Sequence, residues 1–517
     1  MGAVKIKASN RSEWLAALSA VASGLLLASL FAPWEWTWAA GVALAPMFAA
    51  ARKISERWAL KYGYVTGLLF WLVSIRWLTH VTVAGWLFLA AYGALYFLPV
   101  AWLAHRWRGG ALGFATALAV VWCGVEFFHG WLGGGFPWNP LGAGLSWWLP
   151  GIQLAEWGGV WLVSSLVVFA NALVAWALAE RRDWRGVGVG ALLVALACGW
   201  GVWRVQRIQP GERSLRVALV QTAIPQDEKW VAAKVQMIYE RLDELTRLAQ
   251  EDPRVELVIW PETALPDDVR NSEASYALVA GLCTHGTPIL TGSLDAALLD
   301  SGEPRYYNSA FLFDETGRLA SEYDKRHLVI AGEFIPFERW IPRRWRDAWE
   351  WAESISPGEG SSIFKVGPSA IPLAPLICFE DILPYLARAD VRAGARMLIN
   401  LTNDAWFDEV AAPRQHMRNA VLRAVENRVS LVRVANTGIS CVIAPSGKVT
   451  AELSDGGGRT WTSGVLWADV SAPADDAPLT FYARFGDMYG IACATATVFW
   501  LFSAWWRRRQ KKTENPC

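Results

Sequence analysis

Three residues of different chemistry stand just past apolar runs that read as β-strands. Cys378 ends the run Leu373-Ala374-Pro375-Leu376-Ile377 and precedes Phe379-Glu380-Asp381. Glu262 follows Val258-Ile259-Trp260-Pro261, and Lys325 lies within Tyr323-Asp324-Lys325-Arg326-His327-Leu328. A thiol can act as a nucleophile, a carboxylate can take a proton, and an ammonium can stabilise an oxyanion. Taken singly, each also has an ordinary reading. A Cys closing an apolar strand behaves as a small hydrophobe, a Glu at a strand end is usually solvated, and a Lys between strands is usually a surface charge.

The elements that must position these residues follow from periodicity. Ser214 to Gln221 reads as a buried strand, followed by a helix from Glu228 to Gln250 and a strand from Val255 to Trp260. Further strands fit 288–292, 307–313, 372–378, 396–401 and 431–436, and helices fit 273–284 and 413–429. Alternating strands and helices argue for an α/β fold. In such folds, polar residues just past strand ends commonly line the active site.

That region is only part of the chain. The 517 residues are 54% hydrophobic, and the apolar residues are unevenly distributed. Residues 1–206 are expected to form a membrane domain of about seven helices, 207–485 an external catalytic domain, and 486–517 a last membrane helix with a basic tail. Eight spans are expected, near 13–32, 37–52, 58–78, 83–104, 110–130, 158–179, 187–206 and 486–506, most approaching the ~20 residues that cross a bilayer. Lys5, Lys7 and Arg11 precede an apolar run as in a signal peptide, but further spans follow at once, which favours a retained helix.

Every second connection is basic: Arg52, Lys53 and Arg57, then Arg106 and Arg108, then Arg181, Arg182 and Arg185, then Arg507 to Arg509 with Lys511 and Lys512. The positive-inside rule then places both termini in the cytoplasm and the large domain outside. Many of the 33 tryptophans fall near span ends, among them Trp34, Trp36, Trp38, Trp131, Trp138, Trp147, Trp148 and Trp157, where interfacial anchoring is expected. The run Gly133-Gly134-Gly135-Phe136-Pro137-Trp138-Asn139-Pro140 is too rich in Gly and Pro for a helix; it fits a re-entrant loop, part of a lipid-facing cleft or a plain connector. Glu126 and Glu156, near the outer ends of spans, read as solvated.

Some functions are disfavoured. The formal net charge is +1 and no basic face is interleaved with aromatics, so nucleic-acid binding is not expected. The 7 cysteines, of which only Cys283, Cys378 and Cys441 fall in the globular region, form neither a disulfide framework nor a C-x-x-C metal pattern. No Gly-rich phosphate loop is visible, and no metal or other cofactor is expected.

Several segments together are more specific than any one. They are Val220-Gln221, Ile224-Pro225-Gln226 and Lys229-Trp230; Pro261-Glu262; Tyr307-Asn308-Ser309; Lys325-Arg326-His327-Leu328-Val329; and Gly332-Glu333-Phe334-Ile335-Pro336. To these add Cys378-Phe379-Glu380-Asp381, Asn400-Leu401-Thr402-Asn403-Asp404-Ala405-Trp406-Phe407 and Arg433-Val434-Ala435-Asn436-Thr437-Gly438. In this order the chain resembles the nitrilase, or carbon–nitrogen hydrolase, superfamily, and over nearly its whole length the membrane branch of it, the apolipoprotein N-acyltransferases. The resemblance implies a polytopic helical bundle plus a nitrilase-like αββα sandwich, with Glu262, Lys325 and Cys378 as catalytic triad.

It also implies a reaction: an acyl chain leaves a phospholipid, rests as a thioester on Cys378, and passes to the α-amino group of a diacylglyceryl-cysteine on an apolipoprotein. The implied partners are a phospholipid donor, the apolipoprotein acceptor and the bilayer itself. Glu262 would then serve as base, and Lys325 with a backbone N–H near Cys378 as oxyanion partners. Glu333 and Glu380 carry over as supporting residues, Glu333 expected to orient both Lys325 and Glu262. Trp230, Asn308, Phe379 and Trp406 carry over as substrate-binding positions. Two departures are visible: Phe379 stands where Tyr is common, and Asp408 follows Phe407 where Gly is common.

Two rival functions share much of this pattern. A membrane-tethered amidase acting on small amides would keep the same triad, although eight spans and a Trp belt would have no use there. A catalytically dead lipoprotein-binding component would have no reason to keep Glu262, Lys325 and Cys378.

Overall fold

The computed structural model describes residues 2–298, 304–330, 332–334, 355–368, 370–407, 411–455 and 461–514. Ile335, Pro336, Asp408 and Cys517, named above, lie outside the described residues. Contacts group the chain into two compact units, Met1–Arg207 with Arg484–Cys517, and Ile208–Ala483.

In the first unit, six helices are long and apolar enough to cross a membrane: Ser12–Ser29, Val83–Arg106, Ala111–His129, Ala155–Ala179, Trp184–Arg207 and Met488–Arg507. Two of the eight expected spans fall short, each for a visible reason. The segment expected at 37–52 breaks into a 3-10 turn, Thr37–Gly41, and a seven-residue helix, Ala45–Ala51, started by Pro46; seven residues rise only ~10 Å. The segment expected at 58–78 is a helix, Glu56–Ser74, of 19 residues. It is long enough, but Glu56, Arg57 and Lys61 charge its first two turns. The helix Ala155–Ala179 is broken at Gly158 and Gly159, with φ +65° at Gly159.

The Gly- and Pro-rich loop is not a plain exposed connector, because residues 137–146 are buried. Glu126, expected to be solvated, holds this loop: its Oε1 accepts from Leu141 N at 2.6 Å and from Trp122 Nε1 at 3.2 Å. Trp138, expected at an interface, is 2% exposed and packs on Trp77 with ring centroids 4.9 Å apart. Glu156 is also buried rather than solvated, and accepts from Arg204 Nε at 2.9 and 3.0 Å. A carboxylate at this depth persists only when paired or hydrogen-bonded, which local sequence does not reveal. Trp34, Trp36, Trp38, Trp131, Trp147, Trp148 and Trp157 are exposed on this unit.

The second unit holds twelve described strands: β1 Arg213–Gln221, β2 Leu257–Ile259, β3 Ile289–Leu298, β4 Pro304–Phe313, β5 Leu319–Asp324, β6 Phe364–Val366, β7 Ile371–Ile377, β8 Met397–Thr402, β9 Ser430–Ala435, β10 Cys441–Ile443, β11 Val449–Glu452 and β12 Gly464–Ala472. They form two six-stranded sheets, in the orders β12-β1-β2-β3-β4-β5 and β11-β10-β9-β8-β7-β6. Each has a parallel centre, β1-β2-β3 in one and β7-β8-β9 in the other, with antiparallel edges.

The sheets face each other across one apolar layer, in which Val217, Leu219 and Ile259 of one sheet meet Leu373, Ile399 and Val432 of the other. Helices Val235–Ala249 and Glu273–Cys283 cover the outer face of the first sheet through Ile238, Leu242 and Val279. Helices Pro384–Arg392 and Ala411–Asn427 pack on the second. The result is the αββα sandwich, built because strands buried on both faces must be apolar throughout. The first helix starts later than expected, at Val235 rather than Glu228. Residues 222–231 instead run irregularly and turn Lys229 into the interior, where it is 2% exposed.

Candidate active site

The C-terminal ends of the two parallel centres supply the key carboxylate and thiol. β2 stops at Ile259, and Trp260-Pro261 leads into Glu262, which is 7% exposed. The turn is tight: Thr263 has φ +42°, a left-handed conformation unusual for a β-branched residue. It also lies against β3, where a Cβ on Gly292 would sit 2.7 Å from Glu262 Cα and from Pro261 O. Only glycine permits that approach.

Lys325 follows β5 directly and is 1% exposed. Its backbone N–H donates to Asn308 O at 2.9 Å, which fixes it beside β4. Its Nζ lies 2.7 Å from Glu333 Oε1 and 3.7 Å from Glu262 Oε1. Asn308 Nδ2 donates to Glu262 Oε1 at 2.8 Å and to Glu333 Oε1 at 3.1 Å. Glu333 thus holds Lys325 directly and is linked to Glu262 through Asn308 and Lys325. Its other oxygen accepts from Val329 N at 2.8 Å and closes the loop on itself. Burial alone would pull the Lys325 ammonium down, but the Glu333 and Glu262 carboxylates hold it well above the lysine range.

Cys378 opens a 3-10 turn, Cys378–Ile382, at the end of β7 and has φ +51°. Such strain persists only where the surroundings over-determine it, and here they do. Cys378 O accepts from Asn400 Nδ2 at 2.9 Å and lies 3.3 Å from His416 Nε2. Beneath the turn, Arg433 donates to Asp381 at 2.8 Å and to Asp404 at 2.6 Å, while His416 lies 2.8 Å from Asp381 and 3.0 Å from Asp404. All four side chains are buried. Burial and Arg433 push the His416 imidazolium down, but Asp381 and Asp404 outweigh them and hold it above its ordinary value.

Glu380, which could have been a surface or helix-start carboxylate, is fully buried and accepts four hydrogen bonds. Oε1 accepts from Arg326 N at 2.7 Å and His327 N at 3.1 Å; Oε2 accepts from Tyr323 Oη at 2.7 Å and Ile377 N at 2.8 Å. One carboxylate thus ties the segment after Lys325 to the segment before Cys378. The thiol sits within reach of the charges on both Glu262 and Lys325. Burial, then the Glu262 charge, push it well above the ordinary cysteine range, and Lys325 pulls the other way. A thiol held in this way would need a base to act as a nucleophile.

The structure brings Glu262, Lys325, Glu333, Asn308 and Cys378 into one cluster. Phe379 stacks on His327 with centroids 6.0 Å apart. Trp230 and Trp406 are 47% and 45% exposed. Lys229 carries no sequence signal beyond the Lys229-Trp230 motif, yet its Nζ donates to Thr263 Oγ1 at 2.7 Å and Glu262 O at 3.2 Å. Local sequence carries no signal for Tyr323, Asn400 or His416, because each is a common residue type whose partner is remote in sequence. The six described cysteines are all free.

Comparison with known proteins gives two family matches. The carbon–nitrogen hydrolase family matches residues 216–474, and the apolipoprotein N-acyltransferase N-terminal domain matches 23–173. The chain is similar to apolipoprotein N-acyltransferase of Geobacter metallireducens, 34% identical over 504 residues, covering 92% of each chain. The corresponding proteins of Brucella suis and Allorhizobium ampelinum are each 32% identical, over 77% of this chain and 76% of theirs.

Proposed function

Because the chain belongs to the apolipoprotein N-acyltransferase family, and is thus a multi-pass membrane acyltransferase of the nitrilase superfamily, we propose how its own residues carry the acyl chain. Cys378 Sγ attacks the ester carbonyl of a phospholipid while Glu262 takes the thiol proton. The carbonyl oxygen becomes an oxyanion, stabilised by the Lys325 ammonium and a backbone N–H beside Cys378. Collapse breaks the ester C–O bond, Glu262 returns the proton to the departing alkoxide, and the lysophospholipid leaves. The acyl group remains as a thioester.

In the second half-reaction the α-amine of a diacylglyceryl-cysteine attacks the thioester. Glu262 takes the amine proton, the C–S bond breaks, and the proton returns to Cys378. Glu333 and Asn308 hold Lys325 and Glu262 in place throughout. The observation that carries this reading is the Lys325 ammonium held between two carboxylates, close enough for the Glu262 and Lys325 charges to act on the Cys378 thiol. Membrane helices suit an enzyme whose donor and acceptor are both lipid-anchored. The basic connections support a catalytic unit on the periplasmic side of a bacterial inner membrane, with both termini cytoplasmic.

The test is trapping. Purified protein incubated with phospholipid alone is expected to gain an acyl mass on the peptide containing Cys378, removable by hydroxylamine and by an amine acceptor. No adduct, together with turnover of a soluble amide, would assign the site to an amidase. For orientation, an impermeant thiol reagent applied to cells with a permeabilised outer membrane should reach Cys378. A reporter fused after Cys517 should read cytoplasm; the reverse pattern overturns the orientation.

A further inference from the structure

Around Glu262 the site holds a second buried cation that the triad does not use. Lys229 is 2% exposed and comes from the irregular segment between β1 and the helix Val235–Ala249. Its Nζ donates to Thr263 Oγ1 at 2.7 Å and to the backbone carbonyl of Glu262 at 3.2 Å. Those acceptors belong to the base residue and to its left-handed neighbour. The far side of the same turn is fixed to β3, where Ala264 N donates to Gly292 O at 2.9 Å and Gly292 N to Pro261 O at 3.2 Å. The turn is therefore clamped by backbone on one side and by a single ammonium from a separate segment.

We propose that Lys229 is a positioning residue for the general base: it locks the Glu262–Thr263 turn and supplies the positive charge that balances the site. This rests on the acyl-transfer reading above. Glu262 and Glu333 bring two negative charges; Lys325 neutralises one, and Lys229 neutralises the other. The titratable groups that face Lys229 are the Glu262 carboxylate, on the turn after β2, and the Cys378 thiol, at the end of β7. Burial draws its ammonium down to about 8, against the pull of the Glu262 carboxylate and, once it ionises, of Cys378. Removing the cation leaves an excess negative charge beside Glu262, so the carboxylate holds its proton more tightly and is less available as a base near neutrality.

The experiment measures single-turnover acylation of Cys378, by mass spectrometry, in full-length protein given phosphatidylethanolamine–phosphatidylglycerol vesicles across a pH series. Lys229→Met is expected to slow acylation about ten- to hundredfold, the range for losing a charged hydrogen bond, and to move the acidic half-maximum of the pH curve upward. Thr263→Val removes only the acceptor hydroxyl and should slow acylation less. The double variant should be no slower than Lys229→Met alone, since both act through one contact. A wild-type rate and pH curve in Lys229→Met, or effects of the two substitutions that simply multiply, overturn the assignment. If Lys229→Met fails to accumulate in membranes, Thr263→Val decides: a wild-type rate there overturns it. Wild-type protein that forms no adduct sinks the acyl-transfer reading itself, whereas acylated wild type with an indifferent Lys229→Met sinks only the role of Lys229.

Discussion

Glu380→Gln isolates the brace between the two halves of the site. Oε1 serves Arg326 N and His327 N, and Oε2 serves Tyr323 Oη and Ile377 N. Glutamine keeps one oxygen and turns the other into an NH2, which can only donate. If the amide faces Arg326 and His327, two buried N–H groups lose their acceptor. If it faces Tyr323 and Ile377, the tyrosine hydroxyl can turn to accept, and only Ile377 N is left unpaired. The second arrangement is the cheaper. An unsatisfied buried donor costs ~1–3 kcal/mol, and the lost charge-assisted bonds add to that. The expected destabilisation is about 2–4 kcal/mol, a large share of a stability of order 5–15 kcal/mol.

The same freed groups flank Lys325 and Cys378, so acylation should fall further than stability alone predicts, by roughly 100-fold for a displacement near 1 Å. Thermal unfolding followed by tryptophan fluorescence in detergent, alongside single-turnover acylation at a temperature where the variant is folded, measures both. Wild-type acylation in a destabilised variant would show that the brace serves the fold and not the site. Wild-type values of both would refute the reasoning outright.

Glu262→Gln removes the proposed base while keeping the shape, and should slow Cys378 acylation about 100- to 10,000-fold with little change in phospholipid binding; rate and vesicle co-sedimentation report the two separately. Gly292→Ala places a Cβ 2.7 Å from three backbone atoms of the Glu262 turn, none of which can yield cheaply. It should destabilise by ~1–3 kcal/mol and lower acylation, read by unfolding and by adduct formation. His416 is held above its ordinary value by Asp381 and Asp404 against burial and Arg433. Its stabilisation is fully present below its unfolded pKa of ~6.5 and is lost as pH rises through the folded value. Unfolding temperature should therefore fall on that alkaline side in the wild type and show a flatter profile in His416→Gln; parallel profiles would remove His416 as the cause.

Local pattern carried a good part of this protein. Whether a segment is a strand depends on a few neighbouring side chains, so the runs ending at Trp260 and Ile377 were legible, and with them the strand-end positions of Glu262 and Cys378. Hydropathy summed over about twenty residues points to eight spans, of which six are long and apolar enough; it fails at 37–52, where Gly41 and Pro46 cut an apolar stretch too short to cross, and at 58–78, where Glu56, Arg57 and Lys61 charge the helix start. What the linear order does not hold is which buried polar groups meet. Tyr323 finds Glu380 across 57 positions, Lys229 finds Thr263 across 34, and Arg433 finds Asp381 across 52. Each partner taken alone reads as a surface charge or a turn residue. Only the tertiary fold buries these groups together, so that they find hydrogen bonds and countercharge in one another and in their neighbours. That is why the strained elbow at Cys378 and the buried Lys229 contact beside Glu262 belong to the tertiary structure alone.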